Sequence, residues 1–314
     1  MAIQTVQGRV DVDNATLAAV DRSQITLPDG TNYSIQVGSL SLGCPIDGIQ
    51  RFETGVRGGT VPGTLRSENI IASNSFGLHY GSVSLGQVGS LIWGGYDQSR
   101  VLGNVGSFDL NNDNRMVSSL QDIQIGVEEG SSPFSAGSFK CLLKLDPTFS
   151  GVRPTSINPV VPYLFMSPET CSAITENLPV TFQPDIGLYI WNTADPQYQN
   201  IVKSPAYLAF IFQDTGVGNI TIKVPFRLLN LTLEAPIVSS PQQYFPCRPF
   251  SAADGSYFLG RAFLQAAYVG INWEIKKWFL GQAPGEHPGL ISSRRSLLTE
   301  EFEVLVLERV VFRV

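Results

Sequence analysis

Few residue runs in this 314-residue chain could do chemistry. The run Phe210-Ile-Phe-Gln-Asp214-Thr215-Gly216-Val217 sets a carboxylate beside a hydroxyl and a glycine, and reads at first like an active-site loop with Asp214 as its acid or base. Its fourth position is Val217, so the hydroxyl that would brace such a loop is missing. The alternating run Asn219-Ile-Thr-Ile-Lys-Val224 follows at once. That makes Asp214 to Gly218 a hairpin turn, with glycines supplying positive φ. Asp97, after Gly94-Gly95-Tyr96, and Asp146, before Pro147, read as turn residues as well. His79 lies in an apolar strand and reads as a structural histidine rather than a general base, and His287 lies in a carboxy-terminal tail. No Gly-x-Ser-x-Gly elbow, Gly-x-Gly-x-x-Gly fingerprint or Walker loop occurs, so neither a serine hydrolase nor a nucleotide-binding protein is supported.

The four cysteines are Cys44, Cys141, Cys171 and Cys247, without a C-x-x-C pair and with only two histidines in the chain. A zinc site is therefore not expected, and no other metal or cofactor is. An even cysteine count permits two disulfides in an oxidising compartment; small buried thiols are the other reading. Asn14, Asn32, Asn219 and Asn230 each open a glycosylation sequon, although four sequons also arise by chance in a chain this rich in Asn, Ser and Thr. The amino terminus lacks the basic and apolar regions of a signal peptide. No apolar run is long enough to span a membrane. The formal charge is −6 and no basic run is interleaved with aromatics, which argues against nucleic acid and anionic membranes as partners.

Elements must position whatever chemistry there is, and the composition favours strands. Charged residues are 15% of the chain, and 30 glycines and 20 prolines punctuate it, a pattern for an all-β, turn-rich protein. Strand-like runs include NYSIQVGSLSL, SLIWGGY, DIQIGVEE, CLLKLD, VPYLFM, LAFIFQ, NITIKVPF, YFLGRAFL and VGINWEIKKWFL. A helix is expected over Ser167 to Asn177, where Ser-Pro-Glu is a start signal, and a weaker one over Asp195 to Lys203. Periodicity alone leaves a sandwich, a barrel or a pair of either.

Two segments carry a resemblance. Leu259-Gly260-x-x-Phe263-Leu264-x-x-x-Tyr268 and Leu91-x-x-Gly94-Gly95-x-Asp97 resemble signposts of the pepsin-like aspartic peptidases, closest to the fungal secreted or surface branch. Val161-Pro-Tyr-Leu-Phe-Met166 resembles the strand after that family's second catalytic loop, and Phe76-Gly-Leu-His-Tyr80 the strand before the lobe junction. Leu188 to Thr193 through Ser204 to Leu208 is similar to a specificity-lobe region. The likeness runs from about Ile25 to Ala283. It implies an all-β, bilobed fold with a partial amino-terminal lobe over 1–108, a near-complete carboxy-terminal lobe over 109–283 and an unmatched tail over 284–314. The apolar stripe in that tail, EFEVLVLERVVFRV, is expected as a strand or a short helix.

The resemblance also implies a mechanism and a departure from it. Such peptidases hold an extended peptide between the lobes and use two carboxylates, each on a hydrophobic-Asp-Thr/Ser-Gly loop, that share one proton. The first such loop and the flap tyrosine are missing from this sequence, which is read as amino-terminally incomplete. At the second loop stands Ile157-Asn158-Pro159-Val160, with Asn158 in the aspartate position, and an amide cannot serve as a base. The expected function is that of a pepsin-like endopeptidase family protein inactive in this chain, with a non-catalytic peptide-binding pseudo-peptidase as the alternative. The family likeness further favours a Cys171–Cys247 disulfide, extended peptides or proteins as ligands, and a secreted or cell-surface location. The aromatics Tyr189, Trp191, Tyr207 and Trp273 are read as core, and a partial lobe with unpaired sheet edges predicts dimerisation or low stability.

Overall fold

In a computed structural model, the described residues are 57–144, 153–284 apart from 217, 236 and 253–255, short runs within 2–55, and the strands 294–296 and 305–307. The fold is built of strands with a few short helices. Two compact units emerge: Met1–Ile25, Asn32–Arg115 and Tyr268–Val314 form the first, and Thr26–Thr31 with Met116–Ala267 form the second.

These boundaries differ from the contiguous division 1–108, 109–283 and 284–314, for a reason of strand pairing. Ala267–Asn272 pairs antiparallel with Ser75–His79, setting Tyr268 against His79, and Lys277–Gln282 pairs with Leu102–Asp109. Residues 268–283 therefore complete the sheet of the first unit. Leu110 stays with it too, its N–H donating to the Lys276 carbonyl at 2.9 Å. In the tail, Leu305–Leu307 is a strand paired with Ser90–Trp93, and Arg294–Ser296 pairs with Gly95–Asp97.

The first unit's main sheet has six strands in the order Leu102–Asp109, Lys277–Gln282, Ala267–Asn272, Ser75–His79, Ser90–Trp93, Leu305–Leu307. Trp278 and Trp93 are fully buried, and Trp278 stacks on Phe108 with centroids 4.3 Å apart. Strand alternation puts these large rings on one face, so the other face is set by different residues.

The second unit holds a seven-stranded sheet in the order Asn219–Pro225, Ala206–Gln213, Val117–Val127, Arg153–Ile157, Tyr257–Leu259, Leu164–Met166, Cys247–Pro249. A four-stranded sheet, Val180–Gln183, Leu188–Trp191, Gln242–Phe245 and Leu231–Leu233, accompanies it. Asn219–Pro225 buries Ile220, Ile222 and Val224 and leaves Asn219 and Thr221 exposed, the alternation of a sheet with one wet face. Phe210 and Phe212 meet Phe263 edge-on at 5.2 and 5.9 Å, filling the core beneath.

Helices form where caps allow them. Pro168–Thr175 starts at Ser167, whose hydroxyl accepts the Thr170 N–H at 3.2 Å; Pro196–Lys203 starts at Asp195, which accepts the Gln197 N–H at 2.8 Å. Two helices depart from the sequence reading. Val61–Ser67, a helix absent from the sequence reading, begins at Thr60, whose hydroxyl accepts the Gly63 N–H, with Pro62 in its first turn. The run YFLGRAFL is strand only as far as Leu259; Gly260 breaks it and Arg261–Leu264 is a helical turn. CLLKLD is not a strand over Cys141–Lys144.

Candidate functional site

The strand Arg153–Ile157 runs parallel to Tyr257–Leu259, and Leu164–Met166 runs antiparallel to that same strand on its other side. The chain between them, residues 158–163, must therefore loop past the end of Tyr257–Leu259. Hydrogen bonds stitch that crossing closed. Asn158 donates its N–H to the Leu259 carbonyl at 3.0 Å; Gly260 donates to Tyr163 at 3.0 Å and Arg261 to Val161 at 2.8 Å.

Gly260 is required by this geometry. A Cβ there would lie 2.2 Å from the Val161 carbonyl oxygen and 2.6 Å from that of Tyr163, both backbone atoms that cannot step aside. Asn158 organises the tip: its Oδ1 accepts the Val160 N–H at 3.0 Å, a local side-chain turn, and its carbonyl accepts the Val161 N–H at 3.3 Å. Arg261 braces the far side, donating through Nη1 to the Val160 carbonyl at 2.8 Å and to that of Pro159 at 3.4 Å. Asn158 is half-buried and Val160 is 49% exposed, so the tip meets solvent.

The outgoing arm is fastened from below. Cys171 and Cys247 are joined in a disulfide with their Cα atoms 5.9 Å apart, tying the helix Pro168–Thr175 to the strand that pairs with Leu164–Met166. The Tyr257 hydroxyl lies 3.1 Å from both the Thr170 and Ser167 hydroxyls in the buried layer under the loop. A neutral amide thus heads a loop whose backbone is fully held.

Other candidates lie elsewhere. Asp214 closes the hairpin between Ala206–Gln213 and Asn219–Pro225: its Oδ1 accepts the N–H of Gly216 at 2.9 Å and of Gly218 at 3.2 Å. Asp97 caps a short 3-10 turn, its Oδ1 accepting from the backbone and hydroxyl of Ser99. His79 is fully buried, and Arg100, which can only donate, lies 3.3 Å from its Nδ1. Trp191 and Trp273 are buried, whereas Tyr189 and Tyr207 are half-buried. Cys141 is a free, exposed thiol. Of the sequons, Asn32 and Asn219 are exposed, and Asn230 is half-buried with its Oδ1 accepting from the Tyr198 hydroxyl at 3.3 Å. Cys44, Asn14, Asp146 and His287 lie outside the described residues. Among the described residues no cluster of three or more His, Cys, Asp or Glu could hold a metal ion, and no helix is long and apolar enough to cross a membrane.

Sequence reasoning missed two arginines. Arg261 sits inside the recognised Leu-Gly-x-x-Phe-Leu run, at a position the pattern leaves open. Arg248 donates to Asp29 through Nε at 2.5 Å, to Thr31 Oγ1 at 3.1 Å and to the Ile186 carbonyl at 2.9 Å, and its guanidinium lies 5.4 Å from the Tyr163 ring centroid. Burial pushes the Asp29 carboxyl upward, but the Thr31 N–H and the Arg248 guanidinium outweigh it and hold it below the usual carboxylate range.

Residues 2–146 match the family model described as eukaryotic aspartyl protease. Rhizopuspepsin-2 of Rhizopus niveus is 30% identical over 131 residues, which is 41% of this chain and 31% of that protein. The chain thus spans about a third of the length of this curated relative. The crystal structure of the aspartic proteinase from Irpex lacteus shares the fold, with a TM-score of 0.50 at 15% identity over 75% of this chain and 64% of that one. Residues 2–146 thus resemble the eukaryotic aspartyl proteases, and the fold is that of a pepsin-like proteinase.

Proposed function

We propose that this chain holds extended peptides without hydrolysing them. The observation that carries the reading is Asn158, which heads the loop that the resemblance aligns with the family's second aspartate-bearing loop. Peptide hydrolysis by this class needs two carboxylates close enough to share a proton, one drawing a proton from water and the other donating to the scissile carbonyl. An amide donates or accepts hydrogen bonds but does not titrate, so the loop keeps a means of contacting a peptide backbone and lacks a base. The single Asp-Thr-Gly of the sequence, at Asp214, spends its carboxylate on closing a hairpin. The relatives named as proteases favour a peptide as the ligand. The disulfide and the exposed sequons favour a secreted or cell-surface location.

The competing reading, an active endopeptidase, is favoured by the family match over residues 2–146. A quenched fluorescent peptide library at pH 3–6, read for cleavage, and the same peptides labelled for fluorescence anisotropy, separate the two. Saturable binding without turnover supports the proposal. Cleavage inhibited by pepstatin would overturn it and reassign the acid to a residue other than Asn158.

A further inference from the structure

A cavity of about 210 Å³ lies within the first unit, on the face of its six-stranded sheet opposite the Phe108–Trp278 stack. Its floor is bare because Gly270 and Gly281, on neighbouring strands, stand where side chains would otherwise cover the sheet. Three aromatic rings wall it: Tyr268 and Phe279 from the same two strands, and Tyr96 from Gly95–Asp97. Val101 and Val105 complete the lining. Val101 sits directly over Gly281, its Cγ1 2.7 Å from where a Gly281 Cβ would be, and Val105 is 47% exposed.

The walls are fixed before any ligand arrives. The Tyr268 hydroxyl accepts the Asp97 N–H at 2.9 Å, and Gly77 vacates the space that oxygen occupies, since a Cβ at Gly77 would lie 2.3 Å from it. That anchors the far end of the ring, leaving its apolar part toward the cavity. Among the described residues, no charged side chain lines the space. A charged ligand would therefore lose its hydration without gaining a partner. An apolar one would exchange water for ring contacts at edge or offset geometry. Apolar protein cavities of ~150 Å³ already take up benzene.

We propose that this cavity is a binding site for a small, uncharged aromatic molecule of one ring or two fused rings. It is independent of the loop at Asn158 and of any peptide bound there. Gly270 supplies the discriminating variant. A Cβ built on it makes ordinary contacts, 3.6 Å to the Phe279 Cβ and 3.7 Å to the Phe76 carbonyl, so Gly270→Ala fits the fold, and the larger, β-branched Gly270→Val suits a strand while filling the cavity.

The test titrates the full chain with indole and, as a charged control of like shape, indole-3-carboxylate, using calorimetry and thermal melts. Expected are saturable indole binding that raises the melting temperature and carboxylate binding at least ~10-fold weaker. Gly270→Ala should weaken indole binding, and Gly270→Val should weaken it ~10-fold or more, with each unliganded melt unchanged or raised. Should Gly270→Val fail to fold, the Gly270→Ala series alone decides. No saturable indole binding, equal affinity for the carboxylate, or wild-type affinity in every folded Gly270 variant would each overturn the assignment.

Discussion

Asp29→Asn tests how the segment Thr26–Thr31 is held within the second unit. Asp29 and Arg248 lie 219 residues apart in sequence and form an ion pair whose side chains are 20% and 10% exposed. An exposed pair would contribute under ~1 kcal/mol, and breaking a fully buried one would cost about 3–5 kcal/mol. This pair sits between those limits. Arg248 also keeps Thr31 Oγ1 and the Ile186 carbonyl when Asp29 is neutralised, so the loss approximates one charged hydrogen bond, about 1.5–3 kcal/mol at pH 7. For a unit of this size that lowers the melting temperature by about 4–10 °C. The sign with pH follows from the carboxyl being held below its unfolded value. The stabilisation is fully present above the unfolded pKa, 3.8, and disappears as pH falls through the lower folded value. Wild type and Asp29→Asn should therefore differ at pH 7, and the gap should shrink as the pH falls below 3.8. Differential scanning calorimetry at pH 7 and pH 2 measures it. A gap that persists undiminished at pH 2 would refute the ion-pair argument, because an acid-insensitive loss would have to come from packing.

Gly260→Ala drives a Cβ into two backbone carbonyls and should cost at least ~3 kcal/mol, read as lost soluble yield or an early melt; a wild-type melt would mean that the loop crosses elsewhere. Replacing Cys171 and Cys247 together with Ser opens a link across 76 residues and should lower stability by about 4 kcal/mol in denaturant titrations. On the proposed reading Asn158→Asp would supply one acid of two, so no peptide cleavage is expected at any pH from 3 to 7, and turnover by this variant would reveal a second acid. Leu102–Asp109 is an edge strand of the first unit's sheet among the described residues, with Leu102 and Val105 half exposed, so light scattering should give a dimer that Val105→Lys dissociates.

Some of this was legible in the sequence because its cause is local. Asp214 reads as a hairpin turn from the glycines beside it and the alternating strand after it, and that arrangement is the one its hydrogen bonds close. Ser167 and Asp195 announce their helices through cap chemistry confined to three residues. The illegible parts depend on distance or competition. Pro62-Gly63 signals a turn taken alone, but Thr60 before it caps the helix and Leu65 buries within it. The Asp29–Arg248 pair and the return of residues 268–283 to the first unit arise from tertiary pairing, which no window of sequence contains. The Gly270 cavity escaped for the same reason: glycines and rings on separate strands line it only after the sheet has formed.

Asn158 is where fold and chemistry part company. Every bond that shapes its loop is made by backbone groups, by Gly260 yielding space, by Arg261 donating to carbonyls, or by the Asn158 Oδ1 accepting an N–H. That oxygen would be offered equally well by an aspartate. The framework is therefore indifferent to whether the residue can ionise, and exchanging Asn158 for Asp changes the available proton chemistry with little structural consequence. It follows that stability places no pressure on the acid: Asn158→Asp should melt within ~0.5 kcal/mol of wild type at pH 7. A large loss on that substitution would mean that the Asn158 amide nitrogen donates to a partner a carboxylate repels, and that the loop has been rebuilt around the amide rather than merely deprived of its acid.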